Sequence, residues 1–222
     1  MSYWLQMLSK HEQSVLSNID THIFDYFQNE TSGHDYYHIK RVVDITSRLI
    51  ALEDEARYLA LLIAYFHDVF DDKVNPTDDL DSSLRELFKS WNLDFEGLES
   101  EIIAGVAQIG YKGGHGVVNK TYAAQYVSDA DMIDSMGAIG IARTFYYAGS
   151  KGTPIYDPTL KGVTIESYDD YRNVQRNAID HFDEKLLKLI DWIKTPEGKR
   201  MAQERHDLMQ AFKDQFYKEM DI

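Results

Sequence analysis

The chain has 222 residues, with 37 Asp and Glu against 23 Lys and Arg, a formal charge of −14. That charge repels polyanions and argues against long DNA or RNA as ligands, because such binding rests on clustered cations that neutralise phosphates. At 44% hydrophobic and 27% charged the chain can bury one large core, and with no Cys it has neither disulfides nor thiolate metal sites, as suits a reducing cytoplasm.

Pro is rare at 4 of 222, strand-like alternation is scarce, and most of the length follows a helical period, so an all-α architecture is expected. Trp4, Leu5, Leu8, Val15, Leu16, Ile19, Ile23 and Phe27 predict a first helix over residues 3–28, broken at Thr31, Ser32 and Gly33. No basic start and apolar block of a signal peptide precedes it. Ile39, Val42, Val43, Ile45, Leu49 and Ile50 predict a second helix over 37–52. A third, over 53–70, contains an apolar run at 58–66. That run is shorter than the ~20 residues that cross a bilayer, so no membrane partner is expected.

Asn75-Pro76 marks a loop over 72–81, and helices follow over 82–91 and 95–109. Gly113, Gly114 and Gly116 predict a surface loop over 110–119. Two helices over 121–131 and 133–148 are separated near Asp129, Asp131 and Asp134. Residues 149–164, with Pro154 and Pro158, form a long connection, and helix resumes over 165–194. Thr195 as N-cap with Pro196 at the first helical position opens a last helix to about residue 220. The expectation is one domain over 1–222, a single helical bundle with a C-terminal helical extension from about 165.

The run at 58–66 ends abruptly in His67, Asp68, Val69, Phe70, Asp71 and Asp72. A segment apolar on every face belongs in the core, so the imidazole and carboxylates at its end need a partner, and a divalent cation is the natural one. If the helix continues, Asp71 shares a face with His67 and Asp68. His38 at the start of the second helix and Asp131 at the later helix junction offer further donors. Two imidazoles and two carboxylates suit Mn²⁺, Mg²⁺, Fe²⁺, Co²⁺ or Ni²⁺ with open positions for water and a substrate oxygen. An ion so held favours hydrolysis of a phosphate ester or anhydride.

The order His38-x-x-Arg41-Val42, His67-Asp68 and Ala130-Asp131-Met132-Ile133-Asp134 resembles the HD-domain metal-dependent phosphohydrolases. Within them, Gly33-His34-Asp35-Tyr36-Tyr37-His38, the segment at 137–143, the run at 181–189, Thr195-Pro196-Glu197-Gly198-Lys199 and Glu204-Arg205-His206 resemble the small stand-alone bacterial YpgQ-like branch. The resemblance covers nearly the full chain. It implies a single HD-domain helical bundle and one divalent ion, Mn²⁺, Mg²⁺, Co²⁺ or Ni²⁺, on His38, His67, Asp68 and Asp131. The implied activity is cleavage of a nucleoside triphosphate to monophosphate and pyrophosphate, with a small phosphorylated nucleotide as substrate; the cytoplasmic location is expected from the lack of Cys and of a signal-peptide pattern. Nucleoside monophosphatase, signalling-nucleotide hydrolase and non-catalytic metal or nucleotide sensor are the alternatives.

By the same resemblance, an acidic residue just after the His-Asp pair assists proton transfer, which places Asp71, with Asp72 as substitute, in that role. His34 precedes His38 by four residues, so either imidazole faces the ion. His38 is favoured because Val42, Ile45 and Leu49 extend its face into the core, leaving His34 to hold substrate or to support a ligand. Lys73, His115, Arg143 and Lys185 are the further candidates for substrate phosphates, each with surface solvation as its plain alternative. Asp129 reads as a solvated carboxylate or cap, and His11, His22 and His206 as surface or packing residues.

Overall fold

The structure is a computed structural model, and it describes residues 8–28, 33–51, 54–71, 74–110, 119–160 and 176–221. The described residues are helical, with no strand among them. The chain divides into two compact units, Met1–Ile109 with Val117–Ala130, and Gly110–Gly116 with Asp131–Ile222.

In the first unit, α1 (Lys10–Tyr26) starts later than the periodicity predicts, because Ser9 and Glu12 form a reciprocal capping box at its end. Entry to α2 (Tyr36–Leu49) is set by Gly33, whose φ of +89° is a left-handed conformation that favours glycine, and by the Asp35 side chain, which caps the helix. α3 (Arg57–Phe66) packs against α1, α2 and α5 (Glu99–Val106), with α4 (Leu80–Ser90) preceding α5 in the chain. Ala60, Leu61, Leu62, Ala64 and Phe66 are wholly buried, which explains an apolar run with no polar face. α5 approaches closely because Gly105 has no side chain: a Cβ there would lie 2.3 Å from Ile63 Cδ1. Phe66 packs edge-on against Phe88 and Phe95 with centroids 4.9 and 6.0 Å away.

The third helix is shorter than predicted at both ends. At its start, residues 54–56 form a turn in which Asp54 Oδ1 accepts from the Ala56 amide. α3 then begins at Arg57, a buried cation whose guanidinium donates to the Ser47, Ile50 and Ala51 carbonyls at 2.8–3.2 Å. These are the carbonyls at and just beyond the end of α2, which a helix cannot satisfy internally, and a positive charge also complements the negative end of the helix dipole.

α6 (Tyr122–Asp134) begins in the first unit, and its residues from Asp131 onward belong to the second. It runs through the break predicted near residue 132. The chain turns instead at Met136, which is extended, and Gly137, with φ of +70°, before α7 (Gly137–Ser150). Gly140 tightens that turn, since a Cβ there would meet the Ser135 carbonyl oxygen at 2.1 Å.

Within the second unit, the helix predicted over 165–194 is, where described, two short pieces: α8 (His181–Glu184) and a 3₁₀ helix, Leu186–Trp192. Lys185 breaks them apart with φ −134° and ψ −60°, outside the α-helical range. α9 (Pro196–Glu219) begins where the sequence indicates, with Thr195 Oγ1 accepting from the Gly198 amide at 3.2 Å. It packs against α7 and the 3₁₀ helix. Phe212 of α9 stacks on Phe182 at 5.6 Å between centroids. No described helix is long and apolar enough to cross a membrane.

Each unit supplies one stability prediction. Arg57→Met leaves helix-terminal carbonyls without their donor and is expected to cost about 2–4 kcal/mol, read as a lower urea midpoint. In the second unit, burial pushes the His181 imidazole down from 6.5 to about 4, against the raising influence of Glu184. The unfolded chain binds that proton near 6.5 and the folded chain only near 4, so stability is full above 6.5 and falls as pH drops toward 4. His181→Gln is expected to reduce the loss between pH 7 and 4.5 by about 1–3 kcal/mol, measured by urea unfolding at both pH values.

Candidate metal centre

Two stretches of the first unit bring four polar side chains together in an otherwise apolar interior. At the first, Asp35 Oδ1 accepts from the His38 amide at 2.8 Å, which places His38 in the opening turn of α2 with its side chain fully buried. His34 stands just outside the helix, and its imidazole turns back toward the same point. At the second, α3 ends at Phe66 and the chain continues in tighter turns, the Val69 amide bonding to the Phe66 carbonyl and the Asp71 amide to that of Asp68. Tyr26 of α1 donates to the Val69 carbonyl at 3.2 Å and holds these turns.

Asp68 is the hub. Its Oδ2 lies 2.6 Å from His34 Nδ1 and 3.1 Å from His38 Nε2, and its Oδ1 lies 3.5 Å from His67 Nε2. The His38 and His67 Nε2 atoms are 3.3 Å apart. Burial alone would raise the Asp68 carboxyl, but the charges of His67 and His34 and the hydrogen bonds from His34 and His38 outweigh it and hold the group well below the usual carboxylate range. An anion therefore sits at the centre of the cluster, with imidazoles around it.

The donors suit a cation. His67 Nδ1 lies 2.8 Å from the Ala64 carbonyl oxygen, an atom that only accepts, so in the neutral, ligating form of the ring Nδ1 keeps its proton and the Nε2 lone pair is directed toward His38 and Asp68. His34, His38 and Asp68 each offer a ligand atom within 4.8 Å of one another. Imidazole and carboxylate together fit a first-row divalent metal.

The sequence favours His38 over His34 as the residue facing the site, whereas the structure turns both imidazoles to Asp68. The signal was present in the Gly33 and Asp35 pair, which bends the chain so that His34 folds back over the helix start. The helical spacing that would set Asp71 on one face with His67 does not hold, because regular helix ends at Phe66; Asp71 is half-buried just beyond the turns. Asp129, expected as a solvated carboxylate or cap, is instead fully buried on α6 and accepts from Gln125 Nε2 at 2.8 Å.

Asp131 is half-buried in the last turn of α6, its carbonyl bonded to the Ser135 amide. In the second unit Arg143 Nη1 lies 3.0 Å from Oδ2 of buried Asp134, an ion pair between α6 and α7. Lys185 is half-buried at the junction of α8 and the 3₁₀ helix. Asp72, Lys73 and His115 lie outside the described residues, as do the glycine loop at 111–118 and residues 161–175.

Placed beside known proteins, the chain is 31% identical to an HD-superfamily hydrolase from Bacillus thuringiensis, over 95% of this chain and 98% of that one, with a TM-score of 0.70. The chain belongs to the HD superfamily of hydrolases. A solved Lactobacillus plantarum protein is 30% identical over 96% of this chain and 99% of its own, with a TM-score of 0.78. Bacillus subtilis YpgQ is 29% identical over 215 residues, 94% of this chain and 95% of the relative. Its structure in complex with ADP aligns over 92% of this chain and 97% of that one, at 26% identity and a TM-score of 0.69. No family model matches the chain. The dipeptide His67-Asp68 directly follows α3, nine of whose ten residues are buried.

The Asp35 cap fixes the backbone that carries His38. Asp35→Ala is expected to lower stability by about 1 kcal/mol, seen as a reduced denaturant midpoint with an unchanged slope.

Proposed function

We propose that this HD hydrolase is a divalent-metal-dependent phosphohydrolase that cleaves nucleoside triphosphates to monophosphate and pyrophosphate. The observation that carries the reading is the gathering of His34, His38 and His67 around the buried carboxylate of Asp68, a donor set in the interior of a chain whose family is hydrolytic. The complex of its relative YpgQ with ADP supports a small nucleotide as the ligand.

His38, His67 and Asp68 of the first unit would hold the ion, Mn²⁺, Mg²⁺, Co²⁺ or Ni²⁺, with Asp131 as the fourth ligand that the family resemblance implies. When bound, such an ion polarises a phosphoryl oxygen and lowers the pKa of water. The protein's own part is to orient and to move protons. Asp71, just past the His-Asp pair, accepts the proton of the water that attacks the α-phosphorus, with Asp72 as the alternative carboxylate. The bond between the α-phosphorus and the bridging oxygen breaks, and pyrophosphate leaves. In this reading His34, partly exposed beside Asp68, meets a phosphate oxygen of the substrate. Lys73, His115 and Lys185 supply positive charge for the remaining phosphates, which a chain of net charge −14 must provide locally. Arg143 contributes as far as its pairing with Asp134 allows.

The test is a panel of nucleotides incubated with the purified protein and each of the four ions, with every product identified. Monophosphate and pyrophosphate are expected. Orthophosphate or nucleoside as product moves the cleavage to another bond, and an intact panel in the presence of stoichiometrically bound metal overturns the hydrolase reading. Asp71→Asn is expected to retain the metal and lose about 10²–10⁴-fold in kcat.

A further inference from the structure

The carboxylate of Asp20 in α1 ties together α2, which carries His38, and α3, which His67 directly follows. Its Oδ1 accepts from Lys40 Nζ at 2.8 Å and from Tyr65 Oη at 3.2 Å, and Tyr36 Oη lies 3.2 Å from Oδ2. Lys40 Nζ also reaches Tyr65 Oη at 3.4 Å and stands 5.6 Å from the centre of the Tyr65 ring. All four residues belong to the first unit.

The register of these contacts matters. Tyr36 and Lys40 are four residues apart in α2 and share one face, with His38 midway between them in sequence and roughly 200° around the helix from each. The clamp therefore grips the back of the turn whose front presents His38. Tyr65, 2% exposed, lies two residues before His67, in the last turn of α3. One carboxylate thus fixes the separation of α2 and α3 beside the point where His38 and His67 bring their Nε2 atoms to 3.3 Å.

We propose that Asp20 is a positioning residue for the metal centre, bracing α2 against α3 through Tyr36, Lys40 and Tyr65 so that His38 and His67 converge on one ion. The inference rests on the metal reading given under Proposed function. Preorganised ligands lose less freedom when the ion binds, so loosening the brace acts on metal affinity before it acts on the fold.

Cobalt binding to the full chain tests this, followed by calorimetry and by the visible absorption of bound Co²⁺. Asp20→Asn keeps the shape but removes the charge that gathers the donors. It is expected to bind one Co²⁺ about tenfold more weakly with an altered absorption band. Tyr65→Phe, which removes one arm of the brace and keeps the core filled, is expected to weaken binding about threefold. Asp20→Glu restores the carboxylate and recovers part of the affinity. Asp25→Asn, an exposed acid of the same helix bonded to Gln28, is the control and binds as the parent does. If Asp20→Asn and Tyr65→Phe bind Co²⁺ with parent affinity and spectrum, or if Asp25→Asn loses as much, the inference is overturned. His38→Ala separates the two levels of the argument. Lost binding there with none lost in Asp20→Asn overturns the brace alone, while retained binding in His38→Ala overturns the metal reading and the brace with it.

Discussion

A carboxylate cannot be taken out of water and left alone, and Asp68 shows what the first unit does about that constraint. The group is buried at the end of a helix whose residues are almost all apolar, and three imidazoles from two stretches of chain surround it. Transfer of a charge into such surroundings is very costly unless it is paired and hydrogen-bonded. The same pairing that makes the site tolerable in the folded chain gathers nitrogen and oxygen donors at one point, which is what a divalent cation requires. Stability and chemistry draw on one arrangement here, and the elements nearby are best understood as devices that keep it in register.

Those devices are of two kinds. Some set the backbone: Asp35 fixes the opening turn of α2, Tyr26 holds the turns after His67, and Arg57 closes the far end of α2 by donating to its last carbonyls. Others set the distance between helices, as Gly105 does by letting α5 reach Ile63 and as the Asp20 cluster does between α2 and α3. A buried Arg and a half-buried acid do work that apolar packing cannot, because hydrogen bonds specify direction while dispersion contacts do not.

The sequence revealed the helices better than their ends. Apolar periodicity locates helices such as α1, α2 and α4 because each buries a stripe that repeats every three to four residues, while α3 is located by a run buried on nearly every face. Ends are decided by single groups: the capping box of Ser9 and Glu12, the turn at Asp54, the left-handed Gly137 and the backbone of Lys185. Residues 181–192 carry helical periodicity, yet one residue with a non-helical conformation splits them into a short helix and a 3₁₀ segment. Asp129 shows a further gap. Its charge suggests solvent, and only the packing of α6 reveals that Gln125, one turn earlier, partners it inside.

His67 and Asp68, by following the apolar run that forces them into the interior, mark the centre from sequence alone, and His38 joins them by standing at the head of an amphipathic helix. Composition likewise argues against polyanionic polymers and excludes thiolate ligands. What required the fold was the third imidazole and the brace. Helical spacing favours His38 over His34, and only the bend at Gly33 with the Asp35 cap turns both onto Asp68. Asp20, Lys40 and Tyr65 lie on three different helices, and no periodicity links them. Sequence patterns report which face of an element is buried; which polar atoms then meet depends on how the helices approach one another, and that is settled by tertiary packing.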